Sequence, residues 1–154
     1  MARFSFDSSA FIQPYRRHYP QDLFPKFWEE ITARIATGEI IATEVVRDEI
    51  DAKDDDLKDW VRAQSGLFVH VSDEEQDYVA EIMAQFPTWV DIESSKNNAD
   101  VFVIALAKAK GLAVVSDEGN GSEKNPSIPY VCRHFGVKPL KIVEFIREIG
   151  LRFT

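Results

Sequence analysis

The 154-residue sequence predicts an α/β fold, a three-layer α/β/α arrangement with a mostly parallel central sheet. Two observations carry that prediction. Short apolar strand-like runs alternate with helical patterns along the whole chain, which is how a parallel sheet covered on both faces reads. No internal repeat, linker or low-complexity segment interrupts the alternation, and the length suits one domain over residues 1–154 with a real core.

Arg3 to Asp7 is predicted as a strand that ends on an acid, after which Ser8 and Ser9 are placed to cap a helical segment opening with Ala10 and Phe11. From Pro20 to Thr37, Leu23, Phe24, Phe27, Trp28, Ile31 and Ile35 recur every three or four residues, an amphipathic helix that Gly38 stops. Ile40-Ile41-Ala42 reads as a buried strand, Thr43 as an N-cap, and Glu44 to about Asp51 as the next helix. Asp54-Asp55-Asp56 opens a further helix through Trp60 and Val61, with acids favoured at its positive end. Leu67 to Val71 is a candidate strand. Ser72 to Glu75 forms a capping box before a helix that runs to Phe86 and meets Pro87. An irregular stretch around Trp89 follows. Asn97 or Asn98 then caps a strongly apolar helix from about Ala99 to Lys110, and Gly111 leads into the most hydrophobic strand, Leu112 to Ser116. Residues 117–127 are a loop rich in Gly, Asn and Ser. The chain finishes with a helix around Tyr130 to Phe135, a strand near Val137 to Leu140, and a helix from Ile142 to Ile149.

Composition narrows the function. No apolar run approaches the roughly 20 residues that span a bilayer, and the N-terminal stretch has no signal-peptide pattern, so the expected compartment is the cytoplasm with no membrane partner. Cys132 is the only cysteine, and His18, His70 and His134 are far apart, which argues against disulfides and a local zinc motif. The net charge of −8 opposes phosphate binding, but it is unevenly spread. Residues 39–93 hold 16 acidic and 4 basic side chains, leaving 10 acidic and 14 basic elsewhere, so packed ends would offer a local basic surface.

In a parallel sheet, ligands sit beyond the carboxyl ends of the strands, so acids at strand-to-helix junctions are the ones to weigh. Asp7 ends an apolar strand, although an acid there also caps a following helix. Glu49 falls in the middle of the side of its helix defined by Val45, Val46 and Ile50, where a carboxylate needs a cation or a buried salt bridge. Asp100 shares a face with Val103, Ile104 and Ala107, and so points inward, although the helix dipole also favours an acid in a first turn. Asp117 and Glu118 follow the strand Leu112 to Ser116 directly and read equally as a polar loop start. Together, four junctions each offer a carboxylate, and gathered like charges call for a divalent cation. Oxygen ligands without nearby His or Cys favour Mg²⁺ or Mn²⁺.

With these residues in view, the chain resembles a PIN domain, the α/β nuclease fold of bacterial and archaeal toxin ribonucleases. The resemblance rests on Phe-Asp7-Ser-Ser9-Ala-Phe-Ile, Glu49 before Ile50, Asp100 before Val101-Phe-Val-Ile-Ala-Leu-Ala, and Val-Val-Ser116-Asp-Glu118. Over nearly its whole length the chain is similar to an uncharacterised PIN-like family related to the VapC-like toxins, with Pro-Tyr-Arg-Arg-His-Tyr-Pro at 14–20 and Ile-Pro-Tyr-Val-Cys-Arg-His-Phe-Gly-Val at 128–137. The resemblance implies an endoribonuclease in which Asp7, Glu49, Asp100 and one of Asp117 or Glu118 hold divalent metal, with Ser9 and Ser116 in support. The family pattern after the last of these strands is Thr-x-Asp, whereas Ser116-Asp117-Glu118 stands here, so both acids contest the fourth place. It also implies an RNA substrate, a homodimer, and an antitoxin partner within a type II toxin–antitoxin module. Candidate phosphate contacts are Arg16 and Arg17, close to Asp7 in sequence, then Lys108, Lys110, Arg133 and Lys138; Arg133-His134 is alternatively a bridge to one of the acids. Two other readings stand beside this one: a catalytically weak PIN-like module that binds RNA or protein, and a Mg²⁺ phosphatase of another α/β fold. Against the latter, the first strand ends in Asp-Ser-Ser rather than Asp-x-Asp.

Overall fold

Five short strands, β1 (Phe4–Phe6), β2 (Ile40–Thr43), β3 (Phe68–Val69), β4 (Ala113–Val115) and β5 (Pro139–Leu140), pair in the order β3-β2-β1-β4-β5. Every pairing is parallel, with Phe4 opposite Ile40 on one side and Ala113 on the other. The structure is a computed structural model, and it describes residues 1–53, 55–90 and 98–154. Asp54 and Asn97, weighed above as a helix start and a cap, lie outside the described residues.

Eight helices are described: α1 (Ser9–Gln13), α2 (Pro25–Ala36), α3 (Glu44–Lys53), α4 (Asp55–Arg62), α5 (Asp73–Gln85), α6 (Asn98–Lys110), α7 (Ile128–His134) and α8 (Ile142–Glu148). The two faces of the sheet follow from the pleat of β1. Phe4 and Phe6 meet Phe145 of α8 edge-on at 4.9 and 5.1 Å, while Ser5 turns to the opposite face and donates to the Val103 carbonyl of α6 at 3.0 Å. Helices thus cover both faces of an all-parallel sheet. Helix α6 is apolar all round and buried from Ala99 through Ala107 apart from half-buried Phe102, as a helix packed between the sheet and α5 must be. Among the described residues, no helix is long and apolar enough to cross a membrane.

Several boundaries differ from the sequence expectation, each for a local reason. The helix predicted from Pro20 begins at Pro25, because the residue before a proline is pushed out of the helical region and Phe24 takes φ −128°, ψ 56°. Pro20 to Phe24 form tight turns instead, closed by the Phe24 N–H on the Pro20 carbonyl at 2.9 Å. A π-helical turn over Pro14–His18, unanticipated from sequence, closes through the Tyr19 N–H on the Pro14 carbonyl at 2.9 Å. The strands β3 and β5 are two residues each, shorter than the runs Leu67 to Val71 and Val137 to Leu140, as edge strands commonly are. Gly38 and Gly111 close their helices at φ 80° and 69°, where L side chains are strained.

The capping box of α5 forms as expected. Glu75 N–H donates to Ser72 Oγ at 3.2 Å, and Ser72 N–H and Oγ donate to Glu75 Oε2 at 3.0 and 2.7 Å. Glu75 is buried, so these bonds are what its carboxylate has to offset desolvation. Ser72→Ala is therefore expected to cost about 1–2 kcal/mol in chemical denaturation, at the upper end of cap substitutions.

Candidate metal centre

The chain runs from β1 outward to β2 and β3, then returns to place β4 on the other side of β1. Strand order reverses between β1 and β4, and in open parallel sheets the crevice beyond such a reversal is where ligands bind. Asp7 and Ser116 are the residues that leave these two strands. The Asp7 N–H donates to the Val115 carbonyl at 3.0 Å, so the two exits are fastened side by side.

Three carboxylates converge there. Single oxygens of Asp7, Asp100 and Glu118 lie within 4.8 Å of one another. Asp7 is 2% exposed and Asp100 7%. The chain positions each by a different device. Ser9 fixes Asp7 by donating to its Oδ2 from both N–H, at 3.2 Å, and Oγ, at 2.6 Å. Asp100 is carried in by the first turn of α6. Glu118 is held from the far side of its loop by the Ile128 N–H that opens α7, at 3.3 Å from Oε1. The same Ser9 hydroxyl accepts the Asp117 N–H at 2.9 Å, so one side chain ties the β1 exit to the β4 exit.

The electrostatics are those of buried, crowded carboxylates. Burial pushes the Asp7 carboxyl up to about 7, opposed by the Ser9 hydroxyl and reinforced by the Glu118 and Glu49 charges. Burial pushes Asp100 up to about 9, with the charges of Asp7, Glu118 and Glu49 adding to it. Glu118 is also raised by burial, and is held down by the Ile128 N–H and by Asp100, which shares a hydrogen bond with it. Asp7 Oδ1 is buried and has no hydrogen-bond partner among the described residues. An orphaned carboxylate oxygen among hard oxygen donors, with no thiolate or imidazole in the cluster, fits a hard divalent cation of the Mg²⁺ or Mn²⁺ kind. Asp7, Asp100 and Glu118 are the residues that would hold it.

Glu49 stands apart from this triad. Its helix α3 buries Val46 and Ile50, and Glu49 lies at the edge of that face, not in its middle, with the side chain 19% exposed. It accepts a hydrogen bond from the Ser8 hydroxyl and lies 3.7 Å from Lys53 Nζ, one turn along. Glu49 is thus a charge at the rim of the site, and part of its expected partnership with a cation is met by lysine. Of the two contested acids, the geometry brings in Glu118. Asp117 lies outside that cluster, and its Oδ2 is 3.7 Å from His18 Nε2.

Ser8 and Ser9 make no side-chain caps for α1; their hydroxyls serve Glu49 and Asp7. Ser116 is buried and donates its N–H to the Leu140 carbonyl at 3.0 Å. The exposed Arg16 reaches the Lys53 carbonyl at 3.2 Å, and Arg17 is exposed beside it. Lys108 donates to the Phe135 carbonyl at 2.9 Å and Lys138 pairs with Glu148 at 2.7 Å, which commits both elsewhere. The suggested bridge from Arg133-His134 to the acids does not form: Arg133 is exposed and the His134 ring packs against Phe86 and Phe135, each at 5.2 Å. Cys132 is a buried small side chain whose thiol burial pushes well up. His18 and Ser8 are the site neighbours missed from sequence. Ser8 carried no signal beyond a cap pattern, and His18 depended on the unforeseen π-helical turn.

The loop behind Glu118 is tied by Ser127 Oγ, which donates to the Gly119 carbonyl at 2.8 Å. Gly121 adopts φ 66°, and a Cβ there would meet Ser127 Oγ at 2.5 Å and its backbone N at 2.8 Å. Gly121→Ala is expected to displace Ser127, and with it the adjacent Ile128 N–H on Glu118. Metal affinity measured by calorimetry should drop by roughly 10-fold, as for loss of a group orienting a ligand, at little change in melting temperature.

A family model described as a domain of unknown function, DUF4411, matches residues 4–153. The chain belongs to the DUF4411 family. No curated protein matches this DUF4411 chain in sequence. Among solved structures, it is similar to a chain in the crystal structure of VapBC2 from Rickettsia felis bound to a DNA fragment from their promoter. That likeness has a TM-score of 0.54 at 10% identity and covers 90% of this chain and 97% of the other. At such identity it speaks to fold, and the DUF4411 chain has a PIN-like fold.

Proposed function

We propose that this DUF4411 chain acts as a single-domain, divalent-metal-dependent endoribonuclease of PIN type, the toxin of a type II toxin–antitoxin module. The observation that carries the reading is the Asp7, Asp100, Glu118 cluster at the reversal of strand order, with a buried carboxylate oxygen that has no hydrogen-bond partner among the described residues. The fold shared with a chain of the VapBC2 complex supports it. Bound there, Mg²⁺ or Mn²⁺ supplies charge that neutralises the scissile phosphate and lowers the pKa of a water. The protein's own part is positioning. Ser9 keeps Asp7 aimed into the crevice, and the Ile128 N–H keeps Glu118 there. Burial and the neighbouring acids favour a proton on Asp100, which a bound cation would displace. Glu49 and Ser116 are supporting groups, with Glu49 adding negative charge at the rim. On this reading the protein works in the cytoplasm as a homodimer, restrained by an antitoxin segment.

A second reading, a weakly active RNA- or protein-binding module, is favoured by one observation, the engagement of Glu49 by Lys53 and Ser8. Incubation of the purified chain with structured RNAs, with and without Mn²⁺ or Mg²⁺, separates the two. Metal-dependent cleavage is expected, and cleavage indifferent to metal, or none at all, sinks the nuclease reading.

A further inference from the structure

A cleft of about 300 Å³ opens at the carboxyl end of β5, lined by Asn120, Pro129, Arg133, Leu140, Lys141 and Glu144 among others. Its walls share backbone with the metal centre. Pro129 follows Ile128, whose N–H holds Glu118; the Leu140 carbonyl accepts the Ser116 N–H at 3.0 Å; Asn120 lies two residues beyond Glu118. Arg133 lies on α7, the helix whose opening Ile128 N–H holds Glu118.

The cleft carries two cations and one acid. The acid, Glu144, is already engaged, with Oε1 accepting the Lys141 backbone N–H at 2.9 Å. The Arg133 guanidinium and the Lys141 ammonium have no ion-pair or hydrogen-bond partner among the described residues. Lys53, Lys108, Lys138 and Arg16 differ, each being engaged by this chain. On a protein of net charge −8, a concave site with Arg133 and Lys141 as its two cations is a local exception, and Lys141 directly follows the carboxyl end of β5, at the same edge of the sheet as the exits of β1 and β4.

We infer that this cleft binds the backbone phosphate of a nucleotide flanking the scissile one, with Arg133 and Lys141 as its two contacts. The inference rests on the nuclease reading for its substrate, and it explains how an acidic protein holds RNA. Guanidinium and ammonium groups neutralise phosphate and release counterions, so their part is read from the salt dependence of binding.

The probe is a fluorescein-labelled single-stranded RNA 12-mer, titrated by anisotropy in Mg²⁺ against the Asp7→Asn chain so that nothing is cut. Adding Arg133→Gln and Lys141→Gln together should raise Kd about tenfold and flatten the log Kd against log salt slope by roughly 1.4, at about 0.7 per single-strand phosphate contact. The swap Arg133→Lys with Lys141→Arg should keep the slope. Both side chains are exposed, so an unchanged melting temperature verifies the fold. An unchanged Kd and slope in the double Gln variant, or an absence of RNA binding by the parent chain, overturns the inference. If the unsubstituted chain binds RNA through this pair yet leaves it intact in Mn²⁺, the nuclease reading fails and the cleft stands. Cleavage with an insensitive slope has the opposite meaning.

Discussion

Asp7→Asn and Asp100→Asn should each lower metal-dependent RNA cleavage by roughly 10³-fold or more, the equivalent of several kcal/mol of lost transition-state stabilisation. Both side chains are nearly sealed from solvent, and each replaces a hard anionic donor with a neutral amide at the point where the oxygens converge. Glu118→Gln should fall in the same range. Glu49→Gln should lose far less, about tenfold, because Glu49 lies at the rim and is already paired with Lys53 and Ser8. Asp117→Asn should be nearly silent, since that carboxylate faces His18. Single-turnover cleavage in Mn²⁺ gives the order directly. An Asp117 variant as damaged as the Asp7 one would mean that the fourth place had been assigned to the wrong acid.

The second large effect is on stability. The Asp7 and Asp100 carboxyls are raised from 3.8 to about 7 and about 9, so the folded chain retains protons that the unfolded chain releases. Groups shifted upward contribute stability that is fully present below their unfolded pKa and is lost as pH rises through the folded one. The metal-free protein should therefore become progressively less stable between pH 5 and pH 9. At roughly 2–4 °C per kcal/mol for a chain of this size, a loss of a few kcal/mol lowers the melting temperature by about 10 °C. Added Mn²⁺ should reverse this, and its benefit should be larger at pH 8 than at pH 5, where protons compete for the same oxygens. Asp100→Asn should flatten the metal-free profile. Thermal melts in chelator and in Mn²⁺ across that range supply the measurement. A metal-free profile that is level from pH 5 to pH 9 contradicts the crowded-carboxylate description.

Much of the architecture was legible because its signals are local and strong. The Ser72 and Glu75 pairing, the apolar run of α6 and the glycines after α2 and α6 act within a few residues, so the sequence reading and the structure agree on them. The start of α2 and the π-helical turn were less legible, because prolines at 14, 20 and 25 divide one stretch in ways that periodicity does not rank. For the site, Asp7 and Asp100 were found as junction and inward-facing acids. For Glu49, a helical wheel gives a direction but not the depth of packing, and it does not show the lysine one turn away. The choice between Asp117 and Glu118 depended on the Ile128 N–H, ten residues on across a loop, which no spacing rule reveals.

The position of β1 at the middle of the sheet has a consequence for the life of the chain on the ribosome. β1 is made first, yet its neighbour β4 arrives only when Ala113 has been synthesised, and the hydrogen bond that holds Glu118 needs Ile128 as well. Contacts so distant in sequence form late, after the intervening loops have been closed. A growing chain therefore carries Asp7 for most of its synthesis without the partners that would let it hold a cation, and truncated products would lack a complete cluster. The order of the strands thus delays assembly of the cluster until Ile128 has left the tunnel.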